Sequence, residues 1–166
     1  MIIHSRPLDE ADFKTMRELL LREGPNEWNY ITDESIEKQF RLIRNKNALA
    51  VLAEENVIYG FAVLIFKESC PSKLCKYTDL SSVAYINDVV VNSNQSGNGL
   101  GSKLIQESIS LARKEQCSKV YIERHEENLA SAGMMRKTGF EIVETFLDIN
   151  KRTTGSRRTS VLAICT

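Results

Sequence analysis

Apolar residues recur along the chain with two periods, one typical of helices and one typical of strands. Near the N-terminus, residues 2–4 favour a short strand. Two stretches with apolar residues every three or four positions then predict two helices. The first can be capped by Asp9 and ends at Gly24, and the second begins at Thr32 and Asp33, which are residue types that favour helix N-termini.

The middle of the chain is rich in β-branched and apolar residues. Residues 49–53 and 57–66 predict two strands joined by a polar turn, and a loop over 68–82 separates them from a strand over 84–91. That last strand ends in three consecutive valines, a pattern found in strands covered on both faces. We therefore expect it to lie in the centre of a sheet.

The C-terminal half predicts two further helices and three strands. A glycine-rich turn leads into a long amphipathic helix with basic residues near its end. The remaining elements are a strand over 120–122, a short helix over 128–138 closed by Gly139, and strands over 141–149 and 159–165. The order β-αα-βββ-α-β-α-ββ predicts one three-layer α/β domain over residues 1–166, with a mixed sheet.

Composition and charge argue against binding to nucleic acid or to a membrane. The 22 basic and 22 acidic residues cancel, and no segment concentrates enough positive charge for nucleic acid or an anionic membrane. The N-terminus has no apolar signal core, and no stretch approaches the roughly 18 apolar residues of a membrane span. We therefore expect a cytoplasmic protein with no nucleic-acid or membrane partner.

The four cysteines do not form a metal-binding pattern. Only Cys70 and Cys75 are close in sequence, and no second Cys or His pair nearby could complete four ligands. We expect ordinary free thiols and no metal.

A turn of three alternating glycines follows the central strand and opens the long helix. Gly97, Gly99 and Gly101 allow close backbone approach, and the N–H groups of Leu100 and Ser102 point outward at the positive end of the helix dipole. This arrangement favours an anion such as a diphosphate. The simpler alternative is a tight strand-to-helix turn without a ligand.

The glycine spacing fits two nucleotide-binding motifs poorly. A mononucleotide P-loop needs a lysine directly after its last glycine, whereas Ser102 separates Gly101 from Lys103. A dinucleotide fingerprint needs Gly-x-Gly-x-x-Gly after a first strand, whereas this chain has Gly-x-Gly-x-Gly in its middle.

Two motifs in sequence order resemble the GNAT superfamily of N-acyltransferases. Residues 96–101 resemble its Arg/Gln-x-x-Gly-x-Gly/Ala motif, with Ser96 at the first position and Gln95 one residue earlier. Asn128 and residues 135–140 resemble its second signature, with Met135 where many members have a tyrosine. The resemblance implies a GNAT-like fold with about seven strands and about four helices, and it implies acetyl-CoA (coenzyme A) as acyl donor.

The resemblance also implies where the cofactor is bound. In the family the fourth and fifth strands splay apart, and the pantetheine arm lies between them against the backbone of the fourth strand. Asn128 is either a cofactor contact or a helix cap. The implied cofactor-binding residues are Val89, Val90, Val91, Gln95, Ser96, Gly97, Asn98, Gly99, Leu100, Gly101, Ser102 and Asn128.

The candidate catalytic residues Tyr85, Asn87 and Asp88 lie on the central strand, upstream of the proposed arm. Strand alternation predicts Tyr85 and Asn87 on one face and Asp88 on the other. Either a water held by the first two or a base at Asp88 could take the proton of the amine. His125 is the rival base, although its charged neighbours predict a solvated loop histidine.

Trp28 and Tyr30 are the candidate substrate-binding residues, because the family covers its acceptor with the segment in which they lie. They are either pocket walls or packing residues.

The function expected from these observations is acetyl transfer from acetyl-CoA to a primary amine of a small molecule, by direct attack in a ternary complex. One alternative is a catalytically weak or inactive acyl-CoA-binding regulatory module, since the sulfur of Met135 cannot protonate a thiolate. Another is a protein or peptide N-acetyltransferase. The sequence is compatible with a homodimer.

Overall fold

A computed structural model describes residues 1–166 as a seven-stranded sheet with four α-helices, which confirms the predicted fold class. The element order is also the predicted one. The elements are β1 (Ile2–His4), α1 (Glu10–Glu23), α2 (Asp33–Arg44), β2 (Ala48–Glu54), β3 (Ile58–Phe66), β4 (Val83–Val91), α3 (Leu100–Lys114), β5 (Lys119–His125), α4 (Leu129–Lys137), β6 (Glu141–Leu147) and β7 (Arg158–Cys165).

The sheet is mixed, with the strand order β1-β2-β3-β4-β5-β7-β6. Only β4 and β5 run parallel, and every other neighbouring pair is antiparallel. Tyr85 and Val90 of β4 pack in the core on the α1–α2 side, whereas Ala84 and Ile86 pack in the core on the α3 side. The predicted central strand is therefore covered on both faces.

Local capping sets the start of the first two helices. Asp9 accepts from the backbone N–H of Asp12, and Thr32 accepts from that of Ser35, and each pair completes a reciprocal capping box. Both predicted starts are confirmed. The predicted loop before β4 contains three short 3₁₀ turns, and none of the helices has the length and apolar character needed to cross a membrane.

Candidate active site

The parallel pair β4–β5 separates halfway along its length. Paired positions run from Val83 opposite Lys119 to Ile86 opposite Ile122, and no pairing follows. A cleft of about 80 Å³ opens where the strands part. Its walls include residues 86–89, residues 122–124, Asn29, Asn128, Ser131, Met134 and Met135. The backbone edge of β4 that faces β5 is thus free to pair with an extended ligand.

A β-bulge in β4 turns Asp88 toward the same side as Tyr85. Ala62 opposes Val89 and Leu64 opposes Ile86, so three steps along β4 correspond to two along β3. The extra residue changes the phase of the pleat, and side chains after it swap faces. The prediction that Asp88 lies on the face opposite Tyr85 is therefore wrong.

Asp88 is held by amide groups. Its Oδ2 accepts from Gln39 Nε2 at 2.9 Å and from Asn87 Nδ2 at 3.3 Å, and the Asn87 amide also donates to Gln39 Oε1 at 3.3 Å. Burial raises the pKa of Asp88, although the bond from Gln39 opposes the shift. Gln39 was not predicted, although its place on the apolar stripe of α2, three residues after Ile36, was a signal.

Tyr85 is buried and its hydroxyl is already engaged. It donates to Oε2 of Glu123 at 2.7 Å. The Glu123 side chain is 2% exposed and also contacts Lys73 Nζ at 2.6 Å and Lys151 Nζ at 2.9 Å. Burial alone would raise the pKa of Glu123, but the two lysines lower it to about 2. Glu123 was not predicted, because its partners are distant in sequence.

Replacing this carboxylate, as in Glu123→Gln, is expected to reduce stability at neutral pH by roughly 3 kcal/mol, the value of a pKa lowered from 4.5 to about 2. The folded-state pKa lies below the unfolded one. The contribution is therefore complete above about pH 4.5 and is lost as pH falls toward 2. Urea unfolding at a series of pH values measures it. Glu141→Gln, at an exposed position, is the control, and equal pH slopes for Glu123→Gln and wild type would contradict the assignment.

His125 is buried and both of its ring nitrogens are bonded. Nδ1 accepts from the backbone N–H of Glu127 at 3.0 Å, so Nε2 carries the proton that it donates to the Thr154 carbonyl at 2.8 Å. The Trp28 ring packs against it with centroids 4.7 Å apart. The predicted solvated loop histidine is therefore wrong, because the turn between β6 and β7 folds over it.

The segment between α1 and α2 is tied to the turn between β6 and β7. Thr154 Oγ1 donates to the Glu27 carbonyl at 2.5 Å, and Arg152 Nη1 donates to the Trp28 carbonyl at 3.3 Å. Tyr30 is 81% exposed, whereas Asn29, which was not predicted, lines the cleft. Of the two substrate-binding candidates, Trp28 packs against His125 and Tyr30 lies in solvent.

The glycine turn is open on its outer side. Gly97 and Gly99 have φ angles of +84° and +71°, and a Cβ at either position would meet nothing within 4 Å. Gly99 is the N-cap of α3 and no side chain bonds the free N–H groups there. This geometry fits a bound anion. Gly101 differs, since a Cβ there would lie 2.7 Å from Met134 Sδ, so this glycine allows α3 to pack against α4.

Other predicted cofactor-binding residues surround the turn and the cleft. Ser96 and Asn98 are exposed, and Asn98 Nδ2 donates to Gln95 Oε1 at 3.3 Å. The side chains of Val90, Leu100 and Ser102 are buried, so only their backbone groups are candidates. Asn128 caps α4 by accepting from the Ser131 N–H at 3.1 Å and also lines the cleft.

Known proteins resemble this chain in sequence profile and in fold. The sequence profile of the Acetyltransferase (GNAT) family matches residues 13–140. The structure is similar to a ribosomal-protein-alanine N-acetyltransferase from Brucella melitensis, at 19% identity and a TM-score of 0.73, covering 100% of both chains.

Two solved structures with coenzyme A are also similar. One is the aminoglycoside acetyltransferase AAC(6')-Ib, at 21% identity and a TM-score of 0.74, covering 99% of this chain and 95% of that one. The other is a Bacillus subtilis acetyltransferase, at 15% identity and a TM-score of 0.72, covering 99% of each chain. Because the family profile spans well over half of the sequence, the chain belongs to the GNAT family of acetyltransferases.

Proposed function

We propose that the protein is an acetyl-CoA-dependent N-acetyltransferase that acetylates a primary amine of a small molecule by direct attack in a ternary complex. The observation that carries the proposal is the separation of β4 from β5. It leaves a free backbone edge next to the Asp88 carboxylate, on the strand that leads into the open glycine turn. Family membership and fold neighbours solved with coenzyme A support the same assignment.

The proposed cofactor site combines three features of the chain. The N–H groups from Gly97 to Ser102 would bind the diphosphate, because helix dipole and free donors coincide there. The edge of β4 at Val89 to Val91 would bind the pantetheine arm as a neighbouring strand would. Asn128 keeps its amide nitrogen for a further contact while its oxygen caps α4. Bound acetyl-CoA would supply the acetyl group as a reactive thioester.

Asp88 is the proposed general base. Burial brings its pKa closer to neutral, which improves proton abstraction, and Gln39 and Asn87 fix its orientation. Tyr85 is less suited, since its hydroxyl donates to an ionised Glu123 and its pKa is raised. Asn87 is then a positioning residue. The buried sulfur of Met135 has no proton to give, so water is the proposed proton source for the departing thiolate.

Release of free thiol from acetyl-CoA across a panel of amines tests the proposal. An active enzyme releases thiol only when its acceptor is present, and the acetylated amine accumulates in equal amount. A regulatory binding module would show coenzyme A-dependent thermal stabilisation without release from any amine. A protein N-acetyltransferase would require a peptide N-terminus in the panel.

A further inference from the structure

Arg152 is a buried arginine whose hydrogen-bonding capacity is only partly used. It lies in the turn between β6 and β7 and is 4% exposed. Its Nε donates to Thr159 Oγ1 at 2.8 Å and its Nη1 donates to the Trp28 carbonyl at 3.3 Å. A guanidinium has five N–H donors. No protein group accepts from Nη2, and this atom is not among the fully buried polar atoms that lack a partner, so the outer end of the fork is open to a ligand.

No carboxylate forms an ion pair with Arg152. The nearby Glu123 is engaged by Lys73, Lys151 and the Tyr85 hydroxyl. Asp148 accepts from the same Thr159 hydroxyl that Arg152 contacts, at 2.8 Å. Burial lowers the pKa of Arg152, and the nearby Glu123 and Asp148 raise it through space without accepting a hydrogen bond from it. An anionic ligand could therefore bond directly to the N–H groups that no carboxylate uses.

Arg152 is not part of the cleft wall, but it lies near residues that are. Burial and Glu123 raise the pKa of the Tyr85 hydroxyl most. Asp88 also raises this pKa and Arg152 lowers it, so both side chains are close to that hydroxyl. Arg152 also contacts the loop that contributes Asn29 to the cleft. The bond to that loop, at 3.3 Å, is the longer of its two, so a ligand could replace it at low cost.

We propose that Arg152 binds an anionic group of the acceptor, a carboxylate or a phosphate ester, and that the acceptor is therefore a zwitterionic small molecule. This inference rests on the proposed function, since it names the class of amine. Guanidinium groups bind planar carboxylates and phosphates through paired N–H donors. Lys73 and Lys151 pair with Glu123, so Arg152 is the cation of this cluster whose N–H groups bond to no carboxylate.

Matched pairs of ligands test the inference by calorimetry on the protein–coenzyme A complex. The pairs are the common amino acids with their amides, and glucosamine 6-phosphate with glucosamine; spermidine represents polycations. Wild type is expected to bind at least one anionic member about tenfold more tightly than its neutral partner. The pair that shows the preference distinguishes carboxylate from phosphate.

Substitutions of Arg152 test whether its guanidinium causes the preference for anionic over neutral ligands. Arg152→Gln is expected to bring the ratio of affinities near one, and Arg152→Lys to keep part of it. Arg158→Gln, at an exposed position in β7, is the control and should keep the whole preference. Thermal stabilisation by coenzyme A verifies that each variant is folded. If Arg152→Gln does not fold, the comparison of wild type with Arg152→Lys remains.

Two results overturn the inference: neutral ligands or spermidine binding to wild type as tightly as every anionic ligand, or Arg152→Gln keeping the preference. Because calorimetry needs no turnover, the two proposals fail separately. Anion-selective binding without thiol release refutes the proposed function but supports Arg152 as the group that binds the anion. Thiol release with neutral amines alone refutes the inference and leaves the proposed function standing.

Discussion

Gly99→Val is expected to abolish the thermal stabilisation that coenzyme A gives the wild type. At 100 times its Kd, a ligand stabilises by about 2.7 kcal/mol, which raises the Tm of a domain of this size by roughly 5–10 °C. Gly99 has a φ of +71°, where valine is strained, and the new side chain would fill the open space above the turn. Both effects would disturb the N–H groups proposed to hold the diphosphate.

A valine with a positive φ angle is strained wherever it occurs, so a second variant must separate this strain from an effect on coenzyme A binding. Gly139→Val places a valine at a φ of +99° beyond the end of α4, outside the proposed cofactor-binding residues, where its Cβ would lie 3.1 Å from Ile164 Cδ1. This variant should have a lower Tm than wild type but the same rise on adding coenzyme A. If Gly99→Val keeps the full rise, the diphosphate is not bound at Gly97–Ser102.

The variant Asp88→Asn is expected to lower kcat/KM by a factor of roughly 10²–10⁴, the usual contribution of a general base. The two side chains have nearly the same shape, so binding of coenzyme A should be unchanged. A base acts in its ionised form, so wild-type kcat/KM should rise with pH through the raised pKa of Asp88. Asp88→Asn should lose that rise, as steady-state kinetics over a pH series will measure.

The variants Tyr85→Phe and His125→Ala test the two other candidates for the general base. Tyr85→Phe should act mainly on stability, because it removes the hydrogen bond to Glu123. His125→Ala should also lower stability, since it removes two hydrogen bonds and the packing of Trp28. If Asp88→Asn has a near-normal kcat/KM and a folded His125→Ala has lost nearly all of it, His125 at the end of β5 is the general base and Asp88 is not.

The helices and strands of this fold could be predicted from the sequence because their determinants are local. The caps at Asp9 and Thr32 bond to residues three positions away, and the helical stripes repeat within a few turns. The glycine turn was recognised for the same reason, since all of its residues are contiguous. Motif order then connected these local signals with a known family.

The chemistry of the site depended on distant partners and could not be predicted. Tyr85 and Glu123 are 38 positions apart, and Gln39 and Asp88 are 49 apart. The bulge that turns Asp88 depends on how β3 and β4 are registered, which strand alternation within β4 alone does not show. His125 was misplaced because its charged neighbours indicated solvent, while the turn that buries it begins more than twenty residues later.

The hydrogen bonds between the α1–α2 segment and the β6–β7 turn also affect how the molecule folds. These two hydrogen bonds join residues 127 and 124 positions apart, the largest sequence separations of any side-chain hydrogen bond in the structure. Contacts of such separation carry a high entropic cost of closure and slow folding. The bonds should therefore form after the sheet has assembled, and the site should be completed in one of the last folding steps. The same region should open first in native-state hydrogen exchange, while β3 and β4 remain protected.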